Sequence, residues 1–274
     1  MATQPVLSFI GAGNMASSII GGLLDSGHPA ARISAADPFP ESLEKLSAMA
    51  PVRVSADNAE AVADADVVIL AVKPQVMAEA SESIATAVQA NGAVTISIAA
   101  GITIATLESR LGEGAAIVRC MPNTPALLGL GASALYGNAG VNDTQRGYAE
   151  NILSAVGVST WVESEAALDA ITALSGSGPA YFFLFMEAMI DAGCELGLDR
   201  DTAALMTHQT ALGAASMALA SDVDLVELRR RVTSPGGTTE RAVQSFEDSG
   251  LRDIVGKAMA AAEARAIEMA KEMG

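Results

Sequence analysis

Histidine is nearly absent from this chain of 274 residues, which holds only His28 and His208. Cysteine is equally rare: Cys120 and Cys194 stand far apart and match no metal-ligand spacing. With no HxxxH or CxxC pair, no metal site is expected, and a Ser/His/Asp hydrolase has little to draw on. His28 lies beside Gly27 and Pro29 and reads as exposed; His208 falls mid-helix and reads as structural. Two isolated thiols suit a reducing compartment and ordinary buried side chains. No signal-peptide pattern opens the chain, so the expected location is cytoplasmic. Aromatic residues are only 4% of the chain, so the core must be built from Ala, Val, Leu, Ile and Met. Positive charge is scarce as well, with 16 Lys and Arg against 32 Asp and Glu and a formal net charge of −16. Such a surface repels nucleic acid and anionic membranes. No run of about 18 charge-free apolar residues occurs. The nearest, Ala180 to Met186, is stopped by Glu187 and Asp191.

What is present is organised. Half of the residues are hydrophobic and 18% are charged, enough for a large core. Val6 to Ile10 is an apolar strand candidate, followed by Gly11-Ala12-Gly13-Asn14-Met15-Ala16 and an apolar-periodic helix to about Ser26. This is the dinucleotide-binding fingerprint with Ala at its third glycine place, in the strand–turn–helix context the motif requires. The glycines let the backbone approach a pyrophosphate, and the helix N-terminus receives its charge. Strand and helix signals then alternate. Strands are expected near Arg32–Ala36, Val52–Val54, Asp66–Val72, Ala93–Ser97, Ala116–Cys120, Ala132–Tyr136 and Gly157–Val162, with helices between most of them. Such alternation predicts an α/β fold with a doubly wound parallel sheet of the Rossmann type, whose ligands sit beyond the carboxyl ends of the strands. Asp37 stands where an acidic side chain meets the adenosine ribose and favours NAD, although Asp37-Pro38 also reads as a plain turn. Lys73 is either a phosphate contact or a solvated side chain, and Asn58 either faces the adenosine or starts its helix.

From about Glu163 the alternation stops and the pattern is all helical. The expected division is a dinucleotide-binding domain at 1–163 and a helical domain at 164–274. Tyr181 to Met186 is apolar around the whole helix, which requires burial on every side. Another subunit covering these helices is the economical answer, so a helical homodimer is expected. Two glycine-rich stretches stand out in this half. Ser234-Pro235-Gly236-Gly237-Thr238-Thr239 reads as a helix start, Ser234 as cap and Pro235 in the first turn. Two first-turn glycines cost roughly 1 kcal/mol each relative to Ala. The return is bare N–H groups at a positive helix end, a seat for an anion. Ser175-Gly176-Ser177-Gly178-Pro179 reads the same way. Arg229-Arg230-Arg231 is mainly the solvated end of a helix, with some electrostatic help to an anion.

Scarce acid–base groups fit hydride transfer, where the cofactor carries the reactive atom and the protein positions it. They lean toward a C=N acceptor, because an imine protonated at nitrogen needs less acid catalysis than a carbonyl. A hydroxyacid dehydrogenase would want a lysine in the helical half, and none lies between Val162 and Gly256. A non-catalytic dinucleotide sensor would not need the two anion seats.

Five motifs in order, Gly11 to Met15, Ala71-Val72-Lys73-Pro74-Gln75, Met121-Pro122-Asn123-Thr124-Pro125-Ala126, Ala173 to Tyr181 and Ser234 to Thr239, closely resemble those of pyrroline-5-carboxylate reductases over nearly the whole chain. The resemblance implies reduction of 1-pyrroline-5-carboxylate to L-proline with NADPH or NADH. It also implies a helical dimerisation domain, commonly assembled into a decamer. It places Gly11, Ala12, Gly13, Asn14 and Met15 at the pyrophosphate, and Asn58, Ala71, Val72, Lys73, Pro74 and Ala100 along the cofactor groove. Ser175, Ser234, Gly236, Gly237 and Thr238 would hold substrate. Thr239 would stand near the ring nitrogen as hydrogen-bonding or proton-delivering group. Family members often carry Ser or Thr at the Asp37 position, so Asp37 predicts that NADH is at least competitive here.

Overall fold

The computed structural model describes residues 4–273, which fall into two compact units. The first runs to Ser177 and resumes at Ala261; the second is Gly178–Ala260.

The first unit is built on eight strands: β1 (Leu7–Ile10), β2 (Ile33–Ala36), β3 (Arg53–Ser55), β4 (Val67–Leu70), β5 (Val94–Ser97), β6 (Ile117–Met121), β7 (Gly131–Gly137) and β8 (Gly157–Trp161). Their order in the sheet is β3-β2-β1-β4-β5-β6-β7-β8. The helices are α1 (Asn14–Asp25), α2 (Pro40–Met49), α3 (Asn58–Val62), α4 (Met77–Asn91), α5 (Ile104–Leu111), α6 (Asp143–Ser154) and α7 (Ala167–Ile171). One face of the sheet packs Leu7, Phe9, Val67 and Ile69 against Ile19, Ile20 and Leu23 of α1, Leu46 of α2 and Ile152 of α6. The other packs Ile10, Val68 and Leu70 against Val62 of α3, Ile84 and Val88 of α4 and Leu107 of α5. Burial on both faces is why β1, β4 and β5 read as continuous apolar runs.

The expected doubly wound sheet is present, with one reversal that the alternation did not reveal. β6 and β7 pair antiparallel, Arg119 opposite Tyr136 and Cys120 opposite Leu135, whereas every other neighbouring pair is parallel. The β6–β7 connection holds only a 3-10 turn, Thr124–Leu128, and no crossover helix, so the chain turns back beside the strand it has just left. Two other expectations change. His28 is buried at 9% exposure, because the turn after α1 folds it back onto the protein. Cys120 is buried as expected, while Cys194 is only half-buried.

The second unit holds α8 (Gly178–Glu195), α9 (Arg200–Ala220), α10 (Leu225–Arg231), α11 (Thr238–Asp248) and the start of α12 (Leu251–Met273). Asp199 caps α9 by accepting from the Thr202 N–H at 2.9 Å, and Asp224 caps α10 by accepting from Glu227 at 2.8 Å. The Glu227 side chain does not complete a capping box. It binds Arg230 and Arg231, which hold its carboxyl down at about 2. α8 and α9 approach closely at Gly193, where a Cβ would lie 3.3 Å from that of Ala203. Phe185 and Phe246 meet as a tilted pair, with ring centroids 6.0 Å apart. Little else is enclosed. Phe182, Phe183 and Leu184 are 70%, 63% and 67% exposed, so the helix expected to be buried on every side is bare in the single chain. An apolar surface of this kind marks an interaction site.

Candidate functional site

The glycine turn follows β1 as its spacing requires. Gly11 has φ +100°, and a Cβ there would lie 2.7 Å from the Ala71 carbonyl oxygen. Only glycine therefore lets the ends of β1 and β4 come this close. Gly11 N–H donates to the Ala36 carbonyl at 2.7 Å, and Ala71 N–H donates to Ile10 at 2.8 Å, lacing three strand ends together. Gly13 is the N-cap of α1 and has open space around its missing side chain. No side chain caps this helix, so the N–H groups of Asn14, Met15 and Ala16 remain for a ligand. An uncapped 12-residue helix behind a glycine turn fits a pyrophosphate.

Asp37 is nearly buried at the end of β2. Its Oδ2 accepts from Ala12 N–H at 2.8 Å and its Oδ1 from Phe39 N–H at 2.9 Å. The carboxylate thus shapes the Asp-Pro turn, as one of the two sequence readings has it, and also braces the glycine turn, which neither reading foresaw. Ala71 and Val72 are half-buried beyond β4, while Lys73 is exposed and Pro74 opens a 3-10 turn, Pro74–Val76. Ala100 leaves the adjacent strand β5, since Leu70 pairs with Ser97. These residues therefore share one end of the sheet, next to the point where strand order reverses around β1. Asn58 is the first residue of α3; Asp57 caps that helix, and the Asn58 amide donates to Ser83 Oγ at 3.0 Å.

Both proposed anion seats differ from the helix starts expected. Ser175 lies in a π-helical turn, Thr172–Gly176, that continues α7. The turn is closed by Ser177 N–H donating to the Thr172 carbonyl at 2.8 Å, and α8 begins only at Gly178. Ser234 is not a cap and the glycines are not helical. Gly237 N–H donates to the Ser234 carbonyl at 3.0 Å, closing a turn with Gly236 at φ +72°, and α11 starts at Thr238 with Gly237 as N-cap. A proline followed by a positive-φ glycine is the composition of a type II turn, which the local pattern left indistinguishable from a capped first turn. Glu240 accepts from Gly236 N–H at 2.8 Å, so the N–H groups of both glycines are already engaged. Ser234, Gly236, Thr238 and Thr239 are exposed in the second unit and Gly237 is half-buried.

Two arrangements went unassigned in the sequence. Arg119, nearly buried on β6, lies 3.1 Å from Glu165 and 3.6 Å from Asp169 of α7, and Glu165 also accepts from Ile104 N–H at 2.8 Å. Asn123 donates to the Ser175 carbonyl at 3.0 Å and accepts from Ala132 N–H at 2.9 Å. A lone charge in an apolar strand was the only signal for the first, and an asparagine between two prolines for the second.

A doubly wound sheet, a glycine turn before an uncapped helix and a helical second part define a dinucleotide-dependent oxidoreductase. A family model described as NADP oxidoreductase coenzyme F420-dependent matches residues 6–101. One described as pyrroline-5-carboxylate reductase dimerisation matches residues 165–269. The pyrroline-5-carboxylate reductase of Pseudomonas aeruginosa is 55% identical over 272 residues, covering 99% of both chains. A solved pyrroline-5-carboxylate reductase from Coxiella burnetii superposes with a TM-score of 0.94 at 43% identity, covering 97% of this chain and 99% of that one. The pyrroline carboxylate reductase of Plasmodium falciparum with NADP bound superposes at 0.85 with 30% identity, covering 97% and 98%. The chain belongs to the pyrroline-5-carboxylate reductase family. The dimerisation match spans α8 and supplies a reason for its bare apolar face.

Proposed function

We propose that the protein reduces the cyclic imine 1-pyrroline-5-carboxylate to L-proline with NADPH or NADH, in the cytoplasm. Full-length membership of the family carries this reading, and the uncapped helix behind Gly13 agrees with it. When bound, the reduced nicotinamide supplies the hydride for the C=N carbon. The chain's own residues bind and orient. The turn from Gly11 to Met15 receives the pyrophosphate, through the N–H groups of Asn14 and Met15 that no side chain caps, and Asp37 faces the adenosine ribose while bracing the turn. Asn58, Ala71, Val72, Lys73, Pro74 and Ala100 line the groove. Ser175 and the backbone around Ser234, Gly236, Gly237 and Thr238 hold the substrate carboxylate and ring. The Thr239 hydroxyl stands by the ring nitrogen, where it donates a hydrogen bond or passes the proton that completes the amine.

In this reading residues 1–163 bind the dinucleotide, and 164–274 bind substrate and form a helical homodimer, with a decamer as the higher assembly. Mixing the protein with 1-pyrroline-5-carboxylate and either reduced nicotinamide, and following cofactor absorbance, tests the activity. No oxidation with either cofactor refutes it. Unchanged turnover in Thr239→Ala removes Thr239 from the catalytic role and leaves the reaction intact.

A further inference from the structure

The π-turn at Thr172–Gly176 is an unusual way to leave a helix, and such turns recur at functional sites. The chain beyond it withholds a helical donor. In an α-helix the Ser175 carbonyl would accept from the N–H four residues on, but that residue is Pro179, which has none. Ser175 is half-buried, so its carbonyl needs another donor. Asn123 provides one: its Nδ2 donates to that oxygen at 3.0 Å. The same amide cannot swing freely, because its Oδ1 accepts from Ala132 N–H of β7 at 2.9 Å. Asn123 is thus a strut between the central sheet and the π-turn. Met121, two residues earlier, closes the other side. A Cβ on Gly176 would lie 2.5 Å from Met121 Cε, so the flexible methionine tip packs closely against the turn. The Met-Pro-Asn stretch, given no role above, therefore grips the turn at two consecutive residues.

We propose that Asn123 is a positioning residue for the imino-acid substrate. It supplies the hydrogen bond that Pro179 withholds, and so fixes the backbone that presents the Ser175 side chain. The inference rests on the reading of Ser175 as a substrate contact, and the experiment separates the two.

Asn123→Asp keeps the acceptor for Ala132 and removes the donor to Ser175. Steady-state kinetics on the full-length assembled enzyme compare it with Ser175→Ala and with the double variant. Loss of one positioned hydrogen bond is expected to raise KM for the imino acid about tenfold in each single variant. KM for the nicotinamide should stay within about twofold. The double variant should be no worse than the poorer single variant, because both act on one contact. Asn123→Ser, smaller and uncharged, gives the same readout if the Asp variant does not fold. An unchanged imino-acid KM in Asn123→Asp beside a raised one in Ser175→Ala overturns the inference and leaves the Ser175 reading standing. So does an equal rise in both KM values, or a double variant whose effects multiply. An unchanged KM in Ser175→Ala refutes the Ser175 reading itself, and the inference falls with it.

Discussion

The carboxylate of Asp37 accepts a 2.8 Å hydrogen bond from the backbone N–H of Ala12, tying the end of β2 to the glycine turn. The residue proposed to choose between dinucleotides is therefore also part of the scaffold of the glycine turn. Asp37→Ser removes the negative charge that opposes a 2′-phosphate and shortens the brace. The expected outcome is a rise of about tenfold in the NADPH to NADH ratio of kcat/KM, equivalent to about 1.4 kcal/mol. Thermal unfolding should show a loss of about 1–3 kcal/mol as two buried-end hydrogen bonds go. A wild-type enzyme already far better with NADPH would contradict the charge argument.

Self-association should depend on the apolar face of α8. Phe182 and Phe183 are exposed in the single chain, and covering a Phe contributes about 1.5–3 kcal/mol. Phe183→Glu places a charge there in every copy. Sedimentation should show dissociation at concentrations at least about 100-fold higher than for the unaltered protein. Assembly unchanged by this substitution would move the interface elsewhere.

Arg119 is the one cation between two carboxylates. Replacing it with Met leaves Glu165 and Asp169 repelling each other at a partly buried site. Urea unfolding should show a loss of about 3 kcal/mol. The triple variant Arg119→Met, Glu165→Gln, Asp169→Asn should recover most of that, since the cost lies in the unpaired charge. A triple variant as unstable as the single one would assign the loss to packing of the Arg119 side chain.

His28 makes stability fall toward acid. Burial lowers its pKa, the Pro5 carbonyl partly opposes this as a hydrogen-bond acceptor, and the Arg32 charge adds to the lowering. The unfolded chain thus binds the proton more readily than the folded one. Stability is full above the ordinary value of 6.5 and is lost as pH drops below it toward the lowered folded value. Melting temperatures between pH 7.5 and 5.5 should decline, and the decline should be shallower in His28→Gln. Identical pH profiles for the two proteins would exclude His28 as the source.

The sequence by itself determined what depends on short-range pattern. All eight strands and the glycine turn were legible, because apolar period and glycine spacing are local properties. The five motifs named the family for the same reason. Tertiary structure decided whatever depends on a distant partner. β7 reversed because its connection to β6 has no helix to carry it across the sheet. His28 became buried through a fold-back onto residues far off in the chain. Ser234 to Gly237 became a turn before α11, although the same residues satisfy the rules for a capped helix start. Asp37 acquired its hold on Ala12, and Asn123 its grip on Ser175, across gaps of 25 and 52 residues. Pro179 did announce that the Ser175 carbonyl would lack its helical donor. Which side chain would replace that donor was settled only when β6, β7 and α7 packed together.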